Sequence, residues 1–475
     1  MKVKSVVFFI YCFYMCFEGT AQSNYKFTGI WQGILDFGVE VRVMLHVSED
    51  GKGRLVTTTD SPDQSVYGLK CDTTFLNNGS ITIIKKNPGF SYTGRLLNDS
   101  TLEGTFTQTT PIRFTLKKIE TPSERMRPQT PRPPFPYKSE DVEYSNTDKT
   151  LTYGATITIP EGDGPFPAAV LITGSGPQNR DEEILGHKSF AVVADQLTKQ
   201  GFIILRVDDR GTGKSTGIFT TSTSADFAKD VTTSLDYLLS RPEVNKKKTG
   251  LIGHSEGGMI APMVASKRKD VDFLILLAGP GVKIIDLMAE QNAAIFRSVN
   301  ISQRAIDTYI PLYKKMMASI AKAPDSNIAL NEIKKYLEAW GFVTDTSVLK
   351  ELNMPEREKY NLIAASLVQT AYTPWFKYFL SFDPAPYLKK IKKRKILALN
   401  GSKDIQVISK QNLSGIEVVL KKSKSKNYTI KEIEGLNHLF QTCIKCTLDE
   451  YGKLTETFSP AALEIMVAWL NKNVK

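Results

Sequence analysis

A serine between two glycines, at residues 253–257 with the sequence GHSEG, restricts what this chain can fold into more than any other feature. It follows a strand-like run at 248–252, and the apolar run 258–265 comes directly after it. In this spacing the serine sits on a strained turn from a strand into a helix, where side chains at the glycine positions would collide with neighbouring backbone. The helix N-terminus favours negative charge beside the serine. The sequence therefore predicts that Ser255 is a nucleophile.

A serine hydroxyl needs a general base, and the chain has four histidines. His438 lies in the loop 435–438, directly after a strand-like stretch at 428–433. The chain order Ser…Asp…His puts the base in such a loop, so we expect His438 to fill this role. The other three fit the role less well, because they lie in the N-terminal part, well before the serine, or inside the motif and directed away from it: His46, His187 and His254.

The base needs an acid partner that fixes its tautomer and stabilises its cation. The stretch 395–400 predicts a buried strand, and the loop 401–404 after it ends in Asp404. This carboxylate follows a strand and precedes the histidine, as the order requires. Asp404 is therefore the predicted acid.

The oxyanion formed during acyl transfer needs two N–H donors. One is expected from the backbone of Glu256, the residue after the nucleophile, and the other from the loop 173–177 behind the strand at 168–172. Pro177 has no N–H, so we predict Ser175 as the second donor, with Gly176 as the alternative.

Strands and helices alternate through most of the chain beyond residue 138. Continuous apolar runs at 168–172, 202–207, 273–277 and 396–399 are typical of strands buried on both faces of a parallel sheet. Helical periodicity fits 190–199, 227–239 and 460–470. This pattern predicts an α/β fold, a mostly parallel sheet with helices on both faces. Between 282 and 387 only helical stretches occur, and we expect them to form a lid.

The N-terminal part has a different pattern. Residues 24–120 contain short alternating stretches separated by turn signals, which predict a small antiparallel β domain. In one of them, Val39 to Val47, apolar and polar residues alternate, as in a strand with one buried face. Six of the seventeen residues from 121 to 137 are proline, so we place a linker there.

The first 21 residues predict export. Two lysines precede an apolar run at 6–17, and Gly19 and Ala21 supply small residues at the −3 and −1 positions of a cleavage site. This apolar run is shorter than a membrane-spanning helix, so we expect a cleaved signal peptide and a periplasmic or secreted protein, with no stable membrane span.

Three cysteines would remain after cleavage. In an oxidising compartment Cys443 and Cys446 could close a local disulfide or, less readily, bind a metal, and Cys71 is left over. The net charge of +11 comes from scattered lysine clusters without interleaved aromatic residues, so no nucleic-acid partner is expected.

Residues 209–215, with the sequence DRGTGKS, imitate a phosphate-binding loop. That motif requires a glycine at position 208, which is an aspartate. We predict no nucleotide site here, only a structured loop in which Asp208, Asp209 and Arg210 form local ion pairs.

Five motifs in register resemble the α/β-hydrolase superfamily over residues 140–475, and in particular exported bacterial carboxylesterases with an N-terminal β domain. They lie at 174–181, 209–215, 253–258, 401–404 and 435–438. Thr173 stands where many relatives carry a histidine. The resemblance implies an α/β-hydrolase fold with a helical lid, preceded by the small β domain, and a serine esterase that needs no metal or cofactor.

The expected reaction is therefore cleavage of small carboxylic esters, with short acyl chains favoured by a closed apolar lid. Two alternatives stay open: a serine peptidase or thioesterase that uses the same triad, and a vestigial hydrolase that binds a glycan or envelope component. The sequence leaves the oligomeric state undetermined.

Overall fold

The computed structural model describes residues 26–36, 40–64, 66–86, 89–108, 110–121, 127–354 and 359–475. The expected signal peptide and part of the proline-rich stretch lie outside these ranges. The chain divides into two compact units. The first comprises Met1–Leu35, Arg42–Ser61 and Val66–Ser123, and the second comprises Asp36–Val41, Pro62–Ser65 and Glu124–Lys475.

The first unit is built on an antiparallel sheet whose described strands follow the order β4-β3-β2-β1-β9-β8-β7-β6-β5. The strands are β1 Gly29–Asp36, β2 Glu40–Glu49, β3 Leu55–Ser61, β4 Val66–Lys70, β5 Thr73–Asn77, β6 Ser80–Lys86, β7 Gly89–Asn98, β8 Thr101–Thr107 and β9 Pro111–Ile119. Alternation buries one face: Ile81 and Ile83 of β6 are fully buried. The predicted antiparallel β domain is thus present.

Strand β2 differs from the expectation of one buried face. Arg42 and Met44, expected on the polar side, are only 7% and 3% exposed, so both faces are covered between Val41 and Leu45. The period-2 pattern gave the right strand, but alternation along one strand does not reveal what covers its second face.

The second unit contains a mostly parallel sheet whose described strands follow the order β10-β11-β15-β12-β16-β17-β18-β19. The strands are β10 Lys138–Ser145, β11 Thr152–Ile159, β12 Phe166–Ile172, β15 Ile203–Val207, β16 Val244–His254, β17 Val271–Leu277, β18 Lys395–Gly401 and β19 Tyr428–Ile433, with a short hairpin of β13 Glu183–Ile184 and β14 His187–Lys188. Strands β10 and β11 pair antiparallel, and β12 and β15–β19 are parallel.

Helices cover both faces of this sheet: α1 Ser189–Lys199, α2 Ser224–Ser240, α3 Glu256–Ala265, α11 Ser409–Lys422 and α12 Pro460–Asn473. Neighbouring strand residues belong to opposite apolar clusters. Leu171 and Ile252 pack in the cluster that contains α1 and α12, whereas Val170 and Leu251 pack in the cluster that contains α2 and α11. Burial on both faces explains the continuous apolar runs of these strands.

Seven helices between β17 and β18 form the predicted helical insertion within the described residues. They are α4 Ile284–Ser298, α5 Gln303–Lys322, α6 Ser326–Val343, α7 Thr346–Glu351, α8 Tyr360–Ala371, α9 Pro374–Leu380 and α10 Ala385–Lys390. In the part of the chain that the structure describes, no helix is both long and apolar enough to cross a membrane.

The strand order reverses around β12. From β12 the chain passes to β15 on one side and then crosses to β16 on the other. At such a switch point, the loops after the two neighbouring strands separate and leave a crevice where ligands bind. Here those loops begin at Thr173 after β12 and at Ser255 after β16.

Candidate active site

Ser255 occupies the strained turn predicted for it. It lies between β16 and α3 with φ 51° and ψ −115°, a left-handed conformation that non-glycine residues rarely adopt. A Cβ on Gly253 would collide with the backbone of Gly257, and one on Gly257 would collide with the carbonyl oxygen of Ile172. Both flanking positions therefore require glycine for the turn to form.

Ser255, His438 and Asp404 form a chain of hydrogen bonds. His438 Nδ1 lies 2.8 Å from Asp404 Oδ2, and His438 Nε2 lies 3.1 Å from Ser255 Oγ. Because the carboxylate accepts the Nδ1 proton, Nε2 presents its lone pair to the serine hydroxyl. The geometry suits proton transfer from Ser255 to His438.

Asp404 is held by the loop that follows β18. Its Oδ1 accepts the backbone N–H groups of Gln406 at 2.7 Å and Val407 at 2.8 Å, and the residue is 3% exposed. With Oδ1 occupied in this way, Oδ2 is directed at His438. The loop backbone therefore sets the orientation of the acid.

The loop that carries His438 is fixed by two buried amides. Asn437 Oδ1 accepts the N–H groups of Leu439 at 3.0 Å and Gln441 at 2.9 Å, and Asn437 Nδ2 donates to Gln441 Oε1 at 2.9 Å. Both amide side chains are fully buried. These bonds replace regular secondary structure in a loop that must hold a side chain in place.

The two predicted oxyanion donors lie beside the serine. The Gly174 N–H is already donated to Glu182 Oε1 at 2.7 Å, so it is not available to a substrate. Among the described residues, no protein acceptor is recorded for the N–H groups of Ser175 and Glu256. A Cβ on Gly174 would lie 3.4 Å from the Ser255 Cβ, which puts this loop against the nucleophile.

Asp209 holds the oxyanion loop, the segment that follows β12 at residues 173–177 and carries Ser175. It accepts the Thr173 hydroxyl at 2.7 Å and the Gln178 N–H at 2.9 Å. Burial raises the pKa of Asp209 well above its usual value, against the effect of these hydrogen bonds. The expectation of an ion pair at Asp209 is wrong within the described residues, because its oxygens face a hydroxyl and an amide.

The other two residues of that loop do form ion pairs. Asp208 Oδ2 lies 2.7 Å from Arg180 Nη2, and Arg210 Nη2 lies 2.6 Å from Asp230 Oδ1. Both pairs join the loop after β15 to other segments. The loop is thus structured, and the predicted ion pairs form at Asp208 and Arg210.

A cavity of about 370 Å³ surrounds Ser255 and His438. Its walls include the oxyanion loop and the lid helices α4 and α9. The lid contributes Leu287, Met288, Gln291, Trp375, Phe376 and Phe379. Of the lid residues singled out from the sequence, Met316 and Met317 are buried in the lid core and Trp375 lines the cavity, whereas the Trp340 indole donates to the Thr308 carbonyl.

A buried carboxylate lies at the edge of this cavity. Glu256 is 2% exposed, and its Oε1 accepts the Ser224 hydroxyl at 2.6 Å and the Trp375 indole N–H at 3.0 Å. Burial raises the pKa of Glu256, and the two hydrogen bonds oppose that rise. The residue after the nucleophile is thereby connected to lid helix α9.

Cys443 and Cys446 are joined in a disulfide, one of the two alternatives that their spacing allows. Together with Glu450 they form a cluster of potential metal ligands within the described residues, but the sulfur atoms are bonded to each other. The Glu450 carboxylate instead accepts the N–H groups of the disulfide loop at 2.7–3.2 Å.

The sequence did not predict a contact between two residues beside the serine. Glu182 and His254 are buried and hydrogen-bonded to each other beside the triad. His254 was expected to point away from the serine, and its ring does reach other partners, Glu182 and the His438 backbone. His187 is buried as well, with its Nδ1 3.0 Å from the Thr457 hydroxyl and its Nε2 3.0 Å from Gln441 Nε2.

Over part of its length the chain is similar to known hydrolases. Residues 187–330 match the family described as Hydrolase_4: Serine aminopeptidase, S33. Esterase EstD of Thermotoga maritima is 30% identical over 199 residues, which make up 42% of this chain and 47% of EstD. The match thus spans about half the length of that relative.

The solved structures are less similar in sequence to this chain than EstD is. A Pyrococcus furiosus esterase is 15% identical, with 71% of this chain and 92% of that chain covered and a TM-score of 0.42. Est1E from Butyrivibrio proteoclasticus, solved with ferulic acid, is 17% identical, with 70% and 98% covered and a TM-score of 0.39. At these values the likenesses carry no argument about activity.

The fold rests on the chain's own topology: a mostly parallel sheet with two antiparallel strands at one edge, a strained serine after β16 and a helical insertion before β18. These features are those of an α/β-hydrolase fold, and over part of its length the chain is similar to EstD and to the matched hydrolase family.

Proposed function

We propose that the protein hydrolyses carboxylic esters through an acyl-enzyme on Ser255. The Ser255 hydroxyl attacks the carbonyl carbon while His438 Nε2 takes its proton. The tetrahedral intermediate then expels the alcohol, which leaves with that proton. A water molecule attacks the acyl-enzyme, again with His438 as base, and releases the carboxylic acid and the free serine.

The hydrogen-bond chain from Ser255 through His438 to Asp404 is the observation that carries this proposal. Both bonds have normal lengths, 3.1 Å and 2.8 Å. Asp404 keeps the Nδ1 proton on His438, so that the imidazole can accept a proton at Nε2 and is stabilised as a cation afterwards. The N–H groups of Ser175 and Glu256 would hold the oxyanion.

We further propose that the ester has a short acyl chain. Apolar side chains of α4 and α9 line the cavity at Ser255, among them Leu287, Met288 and Trp375. The Trp375 indole bond to Glu256 ties lid helix α9 to the residue after the nucleophile, and we expect this tie to limit the room beside the reacting carbonyl. Acetyl to butyryl esters are therefore expected to react faster than long-chain esters.

A fluorophosphonate probe tests the nucleophile. It should label the wild-type protein at Ser255, and Ser255→Ala should lose both labelling and about six orders of magnitude in kcat. Ser266→Ala, at the other end of α3, is the matched control and should behave as wild type. Labelling or turnover that persists in Ser255→Ala would refute the assignment.

A panel of p-nitrophenyl esters, thioesters and aminoacyl p-nitroanilides tests the reaction class. Hydrolysis of short-chain esters with the highest kcat/KM supports the proposal. Faster cleavage of the anilides would indicate a peptidase, in keeping with the name of the matched family, and faster cleavage of thioesters would indicate a thioesterase.

Export is a separate proposal that rests on residues 1–21. If the signal peptide is cleaved after Ala21, the N-terminus of protein recovered from the periplasm or medium begins at Gln22. Activity that stays in the cytoplasm with an intact Met1 would contradict it.

A further inference from the structure

The imidazole of His254 lies buried between two hydrogen-bond acceptors. Its Nδ1 is 2.9 Å from Glu182 Oε1, and its Nε2 is 2.9 Å from the carbonyl oxygen of His438. The residue is 5% exposed. It precedes the nucleophile in the chain and contacts the backbone of the base, although the two histidines are 184 residues apart.

This arrangement specifies the charge of the ring. A carbonyl oxygen can only accept, so Nε2 of His254 must carry a proton. Glu182 Oε1 also accepts the Gly174 N–H at 2.7 Å, and as a carboxylate Glu182 has no proton to donate, so this oxygen accepts from Nδ1 as well. A neutral imidazole has one N–H and would leave one of these contacts unmade. The cation makes both.

The charges around His254 favour this state. Burial disfavours the charged ring, but the Glu182 carboxylate and its hydrogen bond outweigh the burial, so the pKa of His254 lies above its usual value. The other titratable groups that face it are His438, whose ring centroid is 4.8 Å away, and Asp404. Asp209 lies near both Glu182 and Glu256, and burial raises the pKa of Asp209 and of Glu256.

Glu182 is held in a costly conformation. Its φ of 47° falls in the left-handed region, and its side chain is 2% exposed. A non-glycine residue keeps such a strained backbone conformation only where the surrounding structure enforces it. Through Gly174, the same carboxylate fixes the loop that presents the Ser175 N–H.

We propose that Glu182 and His254 are positioning residues that hold the oxyanion loop and the backbone of His438 against Ser255 as one unit. The buried ion pair connects three segments that come from distant parts of the chain: the loop after β12, the end of β16 and the loop after β19. The inference rests on the proposed function, since it assigns a role in that same reaction.

We call the Glu182–His254 pair the clamp. The reaction needs the nucleophile, the base and the oxyanion donors in their correct positions at the same time, and the clamp holds the segments that carry them. A displacement of about 1 Å in a catalytic group can cost about 100-fold in rate. Loss of the clamp leaves the apolar cavity wall in place, so substrate binding should change much less than the chemical step.

Nuclear magnetic resonance of the ring nitrogens tests the charge state directly. The chain has four histidines, so selective labelling with 15N-histidine gives a simple spectrum. The magnetisation transfer expected between two rings 4.8 Å apart assigns His254 and His438 without a variant. We expect protons on both nitrogens of His254 across neutral pH. A single protonated nitrogen there would overturn the proposal.

Kinetics of Glu182→Gln and His254→Gln test the positioning role. Each should lower kcat about 10- to 100-fold with KM nearly unchanged, and the double variant should cost little more than either single change. Rates are expressed per fluorophosphonate-reactive site, which corrects for misfolded protein. Fully additive losses, or a change confined to KM, would overturn the proposal.

His46→Gln is the matched control. His46 Nε2 lies 2.7 Å from Asp60 Oδ2, so this change breaks a histidine–carboxylate contact in the first unit. It should leave kcat as in wild type. The two proposals fail separately: activity in Ser255→Ala refutes the proposed function whatever the state of His254, and a neutral His254 refutes the clamp in a fully active esterase.

Discussion

At the residue scale, the site depends on which atom carries each proton. Asp404 uses Oδ1 for two backbone N–H groups and Oδ2 for His438. Oδ2 must accept for Nδ1 of His438 to remain protonated. An amide in this position would reverse the pattern, because its NH₂ would face Nδ1 and favour the wrong tautomer.

Asp404→Asn should therefore lower kcat by about 10⁴-fold while the protein stays folded. Its oxygen can still accept an N–H from Gln406 or Val407, so the melting temperature should change little. Added to Ser255→Ala, the same substitution should cost almost nothing further, because residues that act as a unit are not additive. Near-normal turnover in Asp404→Asn would point to a different acid.

Glu256→Gln should stabilise the protein, and the gain should grow as the pH rises. Because burial raises the folded pKa of Glu256, its carboxyl contributes stability below the unfolded pKa, and that contribution is lost as the pH rises through the folded pKa. Glutamine does not titrate and keeps an oxygen for Ser224 and Trp375.

Melting temperatures of both proteins between pH 4 and pH 9 check this expectation. The difference should be small at pH 4 and favour Glu256→Gln at pH 9. Glu434→Gln, at an exposed carboxylate, serves as control. A gain that is the same at every pH would show that the buried charge is not its source.

The sequence indicated each member of the candidate triad because chain order and strand ends restrict where such residues can lie. It did not indicate Glu182 as a partner of His254, because the two are 72 residues apart and only the folded loops bring them together. The raised pKa of Asp209 is likewise a consequence of burial that no local pattern reveals.

At the element scale, the central strands and the edge strand β19 were predictable, whereas the opposite edge strand β10 was not. β12, β17 and β18 are continuous apolar runs because helices cover both of their faces. The edge strand β10 has the sequence KSEDVEYS, in which every residue is exposed or half-buried, so it lacks that signal. The lid was recognised as helical, but its individual helices depend on packing within the insertion.

Lid helix α9 should control acyl selectivity through Trp375. Trp375→Phe keeps an aromatic ring in the cavity and removes the N–H that Glu256 accepts. With this bond gone, we expect the lid to admit longer chains. The ratio of kcat/KM for butyryl and octanoyl esters should shift toward octanoyl by about tenfold, the size of a methylene-scale change in a pocket.

Leu362→Ala is the control for that experiment, because Leu362 lies on lid helix α8 and is 70% exposed. Its ratio should match the wild type. If Trp375→Phe changes all esters by one common factor, then the lid affects the reaction without selecting the acyl chain.

At the scale of the whole molecule, the chain comprises two units, each with its own buried core. In the first, Trp31, Ile81 and Leu116 are fully buried, and in the second Leu251 and Ile275 are. The proline-rich stretch indicated a boundary, because proline lacks the N–H that would continue a sheet. The two units are not separated by this boundary alone, because segments 36–41 and 62–65 group with the second unit although they precede the proline-rich stretch.

Two separate cores predict two calorimetric unfolding transitions, only one of which responds to an active-site ligand. A boronic acid, which binds a reactive serine reversibly, should stabilise the second unit by about 2.7 kcal/mol at 100 times its Kd. The transition of the first unit should stay in place, because ligand binding stabilises only the cooperative unit that binds it. Ser255→Ala should abolish the shift. If both transitions move together with the ligand, then the two units unfold as one, and independent cores do not imply independent stability in this chain.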